Sequence, residues 1–323
     1  MIAVIGAGSW GTTLARILAL NGHSVKLWVR EKELFDILEK EKENTWFLKG
    51  IKLPNNITFV NDFKKVNGCE YVVTAIPCQY VRGVLTKFAP FISKNAKIIN
   101  VAKGIEQGTF KRISSIIKEI LPNKIVAVMS GPNHAEEVSK ELPTATVIAH
   151  KDKSVCEEFC KLFATSNFKV YPHDDIIGVE VCAAVKNITA IATGVVAGIG
   201  FGDNAMGAIM TYGLMEMNTV AKFLGGKQKT IYGLAGVGDL IATCSSKHSR
   251  NRFTGQKIAE GKSYDEIYKE MGGMVAEGVH TAKAVHEFAI KNELNLPLTT
   301  QTYKVLFENK NLKEAVSDLK NLI

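Results

Sequence analysis

A glycine-rich turn near the N-terminus constrains the fold of this chain more than any other feature. Residues 2–5 (Ile-Ala-Val-Ile) are a short apolar run, Gly6-Ala7-Gly8-Ser9-Trp10-Gly11 follows at once, and Leu14, Ile17, Leu18 and Leu20 then recur at helical spacing up to Gly22. A G-x-G-x-x-G is a weak signal alone and a specific one between a buried strand and an opening helix. Gly6 permits the tight turn, Gly8 lets the backbone approach a pyrophosphate, and Gly11 lets the helix close on the sheet. The helix N-terminus then offers free N–H groups and the positive end of its dipole to phosphates.

The rest of the first half alternates strand and helix. Strand-like runs span residues 24–29, 71–76, 98–102, 125–129, 145–149 and 168–171, and helical spacing spans 31–42, 81–91 and 110–121. A further helix contains Phe159 and Phe163. Alternation of this kind predicts a parallel sheet covered on both faces. From Ile176 onward the chain reads as almost all helix, broken by glycine-rich connections at 198–202, 233–238 and 272–273. The expected fold is α/β: a Rossmann-type, doubly wound, mostly parallel sheet over residues 1–174, then an all-α domain over 175–323. The first would bind a dinucleotide and the second a substrate, which points to nicotinamide-dependent hydride transfer.

Composition narrows the alternatives. With 46% hydrophobic and 22% charged residues, the chain is globular rather than disordered or disulfide-scaffolded. The net charge of +8 is spread along 323 residues without a dense basic run, so nucleic acid is not an expected partner. A basic pocket for a small anion accounts for the excess equally well. The cysteines at 69, 78, 156, 160, 182 and 244 form no Cys-x-x-Cys. Cys244 and His248 are four apart but lack a second pair, so no metal is expected. Reduced thiols, the absence of a charged leader before Ile2, and the lack of an apolar run near the ~20 residues that span a bilayer lead to an expectation of a soluble, cytoplasmic protein without a membrane span. The stretch Ile188 to Ile199 is read as a short buried core helix.

Cofactor choice turns on the end of the second strand, Leu27-Trp28-Val29-Arg30. An acidic residue there would hold a ribose 2′-hydroxyl. Arg30 would instead pair with a 2′-phosphate and stack on adenine, or is simply solvated, and Glu31 beside it would repel a phosphate if turned inward. The balance favours NADP(H), with NAD(H) also accommodated.

A ketone that accepts a hydride builds negative charge on its oxygen, and needs a proton donor and fixed cationic groups. Lys186 lies in an otherwise apolar, small-residue helix, where a lysine is rarely buried without a reason. Asp239, framed by Gly238 and apolar residues, is either a helix cap or the carboxylate partner of such a lysine. Ser249-Arg250-Asn251-Arg252 suits a phosphate clamp, and Lys103 follows a strand end, where ligands bind in open parallel sheets.

In this order these segments resemble the bacterial NAD(P)-dependent glycerol-3-phosphate dehydrogenases. The resemblance extends to Asn44 to Leu48, Ala102-Lys103-Gly104-Ile105-Glu106, Ser130-Gly131-Pro132, Gly178 to Asn187, Gly236 to Cys244 and Val275-Ala276-Glu277-Gly278. It implies reduction of dihydroxyacetone phosphate to sn-glycerol 3-phosphate, the phospholipid backbone precursor, by a homodimer. It implies Lys186 as acid/base, with Asp239 orienting it and Lys103 as a further catalytic cation. It implies a substrate site of Lys103, Gly131, Asn133, Lys186, Asn187, Asp239, Thr243, Ser249, Arg250 and Asn251. It implies cofactor contacts at Gly6, Gly8, Ser9, Trp10, Gly11, Arg30, Phe47, Lys103, Ala135, Arg250, Val275 and Glu277. Asn133-His134 departs from the family's usual Ser or Thr then Phe. Two rivals are a related hydroxy-acid dehydrogenase, which would not need the 249–251 clamp, and a non-catalytic NADP(H) sensor, which could lose its catalytic cation.

Overall fold

The computed structural model describes residues 1–320. Eight strands form one sheet: β1 (Ile2–Ile5), β2 (Val25–Trp28), β3 (Ile57–Val60), β4 (Tyr71–Thr74), β5 (Lys97–Asn100), β6 (Val126–Ser130), β7 (Thr144–Ala149) and β8 (Phe168–His173). Their order is β3-β2-β1-β4-β5-β6-β7-β8. Every pair from β3 to β6 is parallel, β6 and β7 are antiparallel, and β7 and β8 are parallel. The chain winds outward from β1 to β3, then returns to β4 on the other side of β1. This reversal opens a crevice at the carboxyl ends of β1 and β4, the place where open α/β sheets take ligands. The glycine turn leaves β1 at that point.

Side-chain alternation explains why both faces are covered. Ile2 and Val4 of β1 point into one buried cluster, with Leu14, Leu18, Phe159 and Phe163. Ala3 and Ile5 point into the other, with Val81, Leu85, Phe88 and Ile116. The edge strand β3 has no counterpart in the expected elements. It is only Ile-Thr-Phe-Val, one in–out alternation long, so its signal is too short to stand out.

The glycines of the turn serve distinct ends. Gly6 has φ +115°, and a Cβ there would lie 2.5 Å from the carbonyl oxygen of Ala75. A Cβ on Gly11 would lie 1.9 Å from the Gly6 oxygen. Helix α1 (Ser9–Leu20) therefore seats on the turn only with glycine at position 11.

Contacts group the chain into two compact units, residues Met1–Ala102 with Ile113–Ile176, and Lys103–Arg112 with the chain from Ile177 onward. The segment Lys103–Arg112 thus packs with the helical unit, although sequence embeds it in the sheet unit. Helical spacing from Phe110 is corrected accordingly: the helix is Ile113–Ile120, and Phe110 has φ +55°.

The helical unit is built around the helix Ile176–Gly198, in which every residue from Gly178 to Val196 is buried. It is longer than the short apolar run expected there. By length and hydropathy it could cross a membrane, but 89% of its apolar window is buried inside the protein. Two glycines let the helix Arg250–Ala259 meet it backbone to backbone: a Cβ on Gly194 would lie 2.1 Å from the Arg252 oxygen, and one on Gly255 2.0 Å from the Ile191 oxygen.

These contacts separate two substitutions in the turn. Gly11→Ala should lower folding stability by about 3 kcal/mol through overpacking against backbone. A Cβ on Gly8 meets nothing within 4 Å, so Gly8→Ala should cost no more than about 1 kcal/mol, the difference between glycine and alanine at the helix N-cap, yet weaken dinucleotide binding. Denaturant unfolding and fluorescence titration check this, and equal destabilisation by both substitutions would contradict it.

Candidate active site

The helical unit buries a carboxylate between two ammonium groups. Asp239 Oδ1 lies 3.0 Å from Lys186 Nζ, and its Oδ2 accepts a 2.8 Å hydrogen bond from Lys103 Nζ. Thr243 completes the cluster: its hydroxyl accepts from Lys186 Nζ at 2.5 Å and donates to Asp239 Oδ1 at 3.2 Å. Lys186, Asp239 and Thr243 are each at most 3% exposed, whereas the Lys103 side chain is 19% exposed.

Local structure explains the convergence. Asp239 and Thr243 are four residues apart on the helix Asp239–Ser245, so both face the same way. The stretch 234–238, expected to be a connection, is a π-helical turn, Leu234–Gly238, that runs straight into this helix. Such turns often mark functional positions, because they re-aim the residues that follow. Gly236 is required in it, since a Cβ would lie 2.0 Å from the Ile231 oxygen.

Lys103 is held from several sides. Downstream, Arg112 Nη1 donates to Glu180 Oε2 at 2.6 Å, the Gln107 amide lies 3.3 Å from His280 Nδ1, and Phe110 stacks on Phe288 with centroids 3.6 Å apart. The whole segment Lys103–Arg112 is thereby fastened to the helical unit. Glu180 lies on the same helix as Lys186 and is 4% exposed. Arg112 and Glu180 are not among the expected site residues. A glutamate in an apolar helix was the available signal, because a buried carboxylate needs a cation.

The electrostatics follow from two positive charges sharing one negative. Burial pushes the Asp239 carboxyl upward, but Lys103 and Lys186 outweigh it and hold the group below its ordinary range. Burial and the nearby Lys186 lower Lys103 to about 8, against the pull of Asp239. The cluster keeps an excess positive charge in a site shielded from water, which suits a developing oxyanion.

A second chain of polar groups lies alongside. The Asn251 amide donates to Asn187 Oδ1 at 2.9 Å, and Asn251 Oδ1 accepts from the Gly278 backbone N–H at 2.9 Å. Gly278 must be glycine, since a Cβ would lie 2.6 Å from the Asn187 oxygen. The Ser249 hydroxyl accepts from the Arg252 N–H and caps the helix Arg250–Ala259. Arg250, the first residue of that helix, is exposed. Val275 and Glu277 are partly buried at the start of the helix Glu277–Lys291.

The sheet unit holds the remaining expected residues. Gly131 has φ +156° and closes on Thr146, whose Oγ1 accepts a 3.1 Å bond from the Asn133 amide. Thr13 reaches back to the backbone oxygen of Ala135 at 3.5 Å. Ser9 opens α1, and Trp10 packs edge-on against Phe168 with centroids 6.3 Å apart. Arg30 is bonded to its neighbour Glu31. Asn44, fully buried, donates to the Ala7 oxygen and to Thr12 Oγ1 at 2.8 Å each, and accepts from the Phe47 N–H at 3.1 Å. It thus ties the 44–48 segment, including Phe47, to the glycine turn.

The turn fits a dinucleotide. Gly8 has an extended backbone, φ −71° and ψ 179°, that any residue adopts, and open space where its Cβ would stand. Its conformation does not call for glycine, whereas close approach of a phosphate does.

Comparison with known proteins agrees. The family described as NAD-dependent glycerol-3-phosphate dehydrogenase N-terminus matches residues 1–156, and its C-terminus matches 175–317. The chain belongs to that family. A relative named glycerol-3-phosphate dehydrogenase [NAD(P)+] from Pelodictyon phaeoclathratiforme is 45% identical, covering 98% of this chain and 96% of the relative. Another of that name from Chlorobium phaeobacteroides strain BS1 is 47% identical over the same shares. The crystal structure of glycerol-3-phosphate dehydrogenase from Coxiella burnetii is 36% identical, covers 98% of both chains and superposes with a TM-score of 0.95. Among the described residues, no group of three His, Cys, Asp or Glu is placed to hold a metal. Cys244 is a buried thiol raised to about 11 by burial.

Lys103 gives the cluster a measurable signature. Its folded value of about 8 lies below the ordinary 10.5, so between those values the folded protein releases a proton that the unfolded chain retains, and stability rises with pH across that window. Heteronuclear NMR of the Lys103 amine should show a midpoint near about 8. In Asp239→Asn the midpoint should fall further, because the raising influence of Asp239 is gone. A midpoint at the ordinary lysine value in both proteins would contradict this electrostatic picture.

Proposed function

We propose that this chain reduces dihydroxyacetone phosphate to sn-glycerol 3-phosphate with NADH or NADPH, reversibly, and so supplies the phospholipid backbone precursor. The observation that carries the reading is the buried Lys186–Asp239–Lys103 cluster, joined in one chain to a dinucleotide-type glycine turn.

The bound reduced nicotinamide supplies the hydride to C2 of the ketone. As the C–H bond forms, the C2 oxygen gains charge, and Lys186 Nζ gives it a proton; the neutral amine then regains one from solvent. Asp239 and Thr243 hold the Lys186 ammonium in one orientation, 3.0 and 2.5 Å away. Lys103 stabilises the growing negative charge, and its proton is lost as pH rises through about 8, so the reduction should slow above that pH. Within the helical unit Ser249, Arg250 and Asn251 hold the phosphate, Asn187 lines the hydroxyl end with Lys103, and Thr243 completes that unit's share of the substrate contacts. In the reverse direction neutral Lys186 takes the hydroxyl proton. Gly6, Gly8, Ser9, Trp10, Gly11, Arg30, Phe47 and Ala135 of the sheet unit hold the cofactor.

The protein acts in the cytoplasm as a homodimer in this reading. Exposed Met215, Phe223, Tyr232 and Ile241 of the helical unit, each at least 50% exposed, supply apolar surface for such an interface. Sedimentation equilibrium giving a monomer would remove the dimer.

Lys186→Ala should lower kcat by ~10²–10⁴ while NADH and NADPH affinity stay near those of the parent. The check is oxidation of reduced nicotinamide by absorbance, beside fluorescence titration of the cofactor. Turnover near that of the parent would sink the assignment of Lys186. No oxidation by the parent protein with either cofactor would redirect the search to hydroxy-acid substrates.

A further inference from the structure

We propose that Glu31 sets the balance between NADH and NADPH by occupying the guanidinium that reads a 2′-phosphate. The inference rests on the glycine turn holding a dinucleotide, and concerns which residue decides between its two forms.

Backbone pairing carries the chain one residue past β2: the Val29 N–H donates to the Val60 oxygen at 2.8 Å. Arg30 and Glu31 therefore leave the sheet at its carboxyl edge, on the strand next to β1. In this fold that position reads the ribose 2′ substituent. Two kinds of reader are known in chemical terms: a carboxylate that accepts from a 2′-hydroxyl, and a guanidinium that pairs with a 2′-phosphate. This chain has both, side by side and bonded to each other.

Arg30 Nε donates to Glu31 Oε1 at 2.7 Å, and Nη2 donates to the same oxygen. Glu31 stands at the N-cap of α2 (Lys32–Glu41), yet its side chain makes no capping bond. Its carboxylate is committed to Arg30 instead of to the free N–H groups of the helix. Two of the five guanidinium donors are thus taken. The planar face remains for stacking on adenine, which both cofactors share.

The consequence is a near-neutral reader. A 2′-phosphate that reaches Arg30 must displace the Glu31 carboxylate or share the guanidinium with it, and like charges that share one cation repel. The side chains are 66% and 28% exposed, so the pair is weak enough to open. NADPH is therefore handicapped rather than excluded. The 2′-hydroxyl of NADH finds an acceptor in Glu31 and meets no repulsion. Arg30 alone would favour NADPH; the pair moves the site toward use of both.

The test is equilibrium binding of NADH and NADPH to the full chain, measured by calorimetry for the parent, Glu31→Gln and Arg30→Met. Adenosine 2′,5′-bisphosphate and AMP serve as fragment probes. The parent should bind the two cofactors within about tenfold of each other. Glu31→Gln should tighten NADPH and the bisphosphate about tenfold relative to NADH and AMP, and the gain should shrink as salt rises. Arg30→Met should shift the ratio the opposite way. A ratio unmoved by Glu31→Gln, with both cofactors bound by the parent, overturns the role of Glu31 alone. Failure of the parent to bind either cofactor overturns the dinucleotide reading, and this inference with it.

Discussion

The structure of the helical unit depends on a carboxylate that cannot be left alone. Asp239 is 2% exposed, and a charge so placed is costly unless it is paired and hydrogen-bonded. Lys186, Lys103 and Thr243 meet that requirement. They also explain features that look unrelated: the π-helical turn before Asp239, the glycine at 236, and the anchoring of Lys103–Arg112 on the helices. Removing the carboxylate would leave two ammonium groups facing each other. The arrangement is therefore cooperative, and its excess positive charge is what a ketone oxygen needs during reduction.

The two units divide the chemistry. The sheet unit binds through backbone: its turn works because glycine allows approach at position 8 and packing at positions 6 and 11. The helical unit works through charge held on long, packed helices. Glycine pairs recur there too, but their purpose is to bring the helix Arg250–Ala259 against Ile176–Gly198, which seats Asn251 beside Asn187.

Much of this was legible from residue order. Strand–helix alternation gives the parallel sheet, and a lysine inside an apolar helix points to Lys186. The failures have physical causes. β3 has only four residues, Ile57–Val60, too few for their alternation to stand out. Phe110 reads as the start of a helix, but stacking on Phe288 draws it into the segment that carries Lys103. That contact is tertiary and leaves no local trace. Arg30 and Glu31 were visible as competing readers, whereas their bond to each other was not.

A double-mutant cycle on kcat tests the central claim most directly. If Lys186 and Asp239 act as one proton-delivering unit, then Lys186→Ala, Asp239→Asn and the double variant should all fall to a similar level, because groups that act together are non-additive. Losses that simply multiply in the double variant would show two independent residues, and would contradict the account.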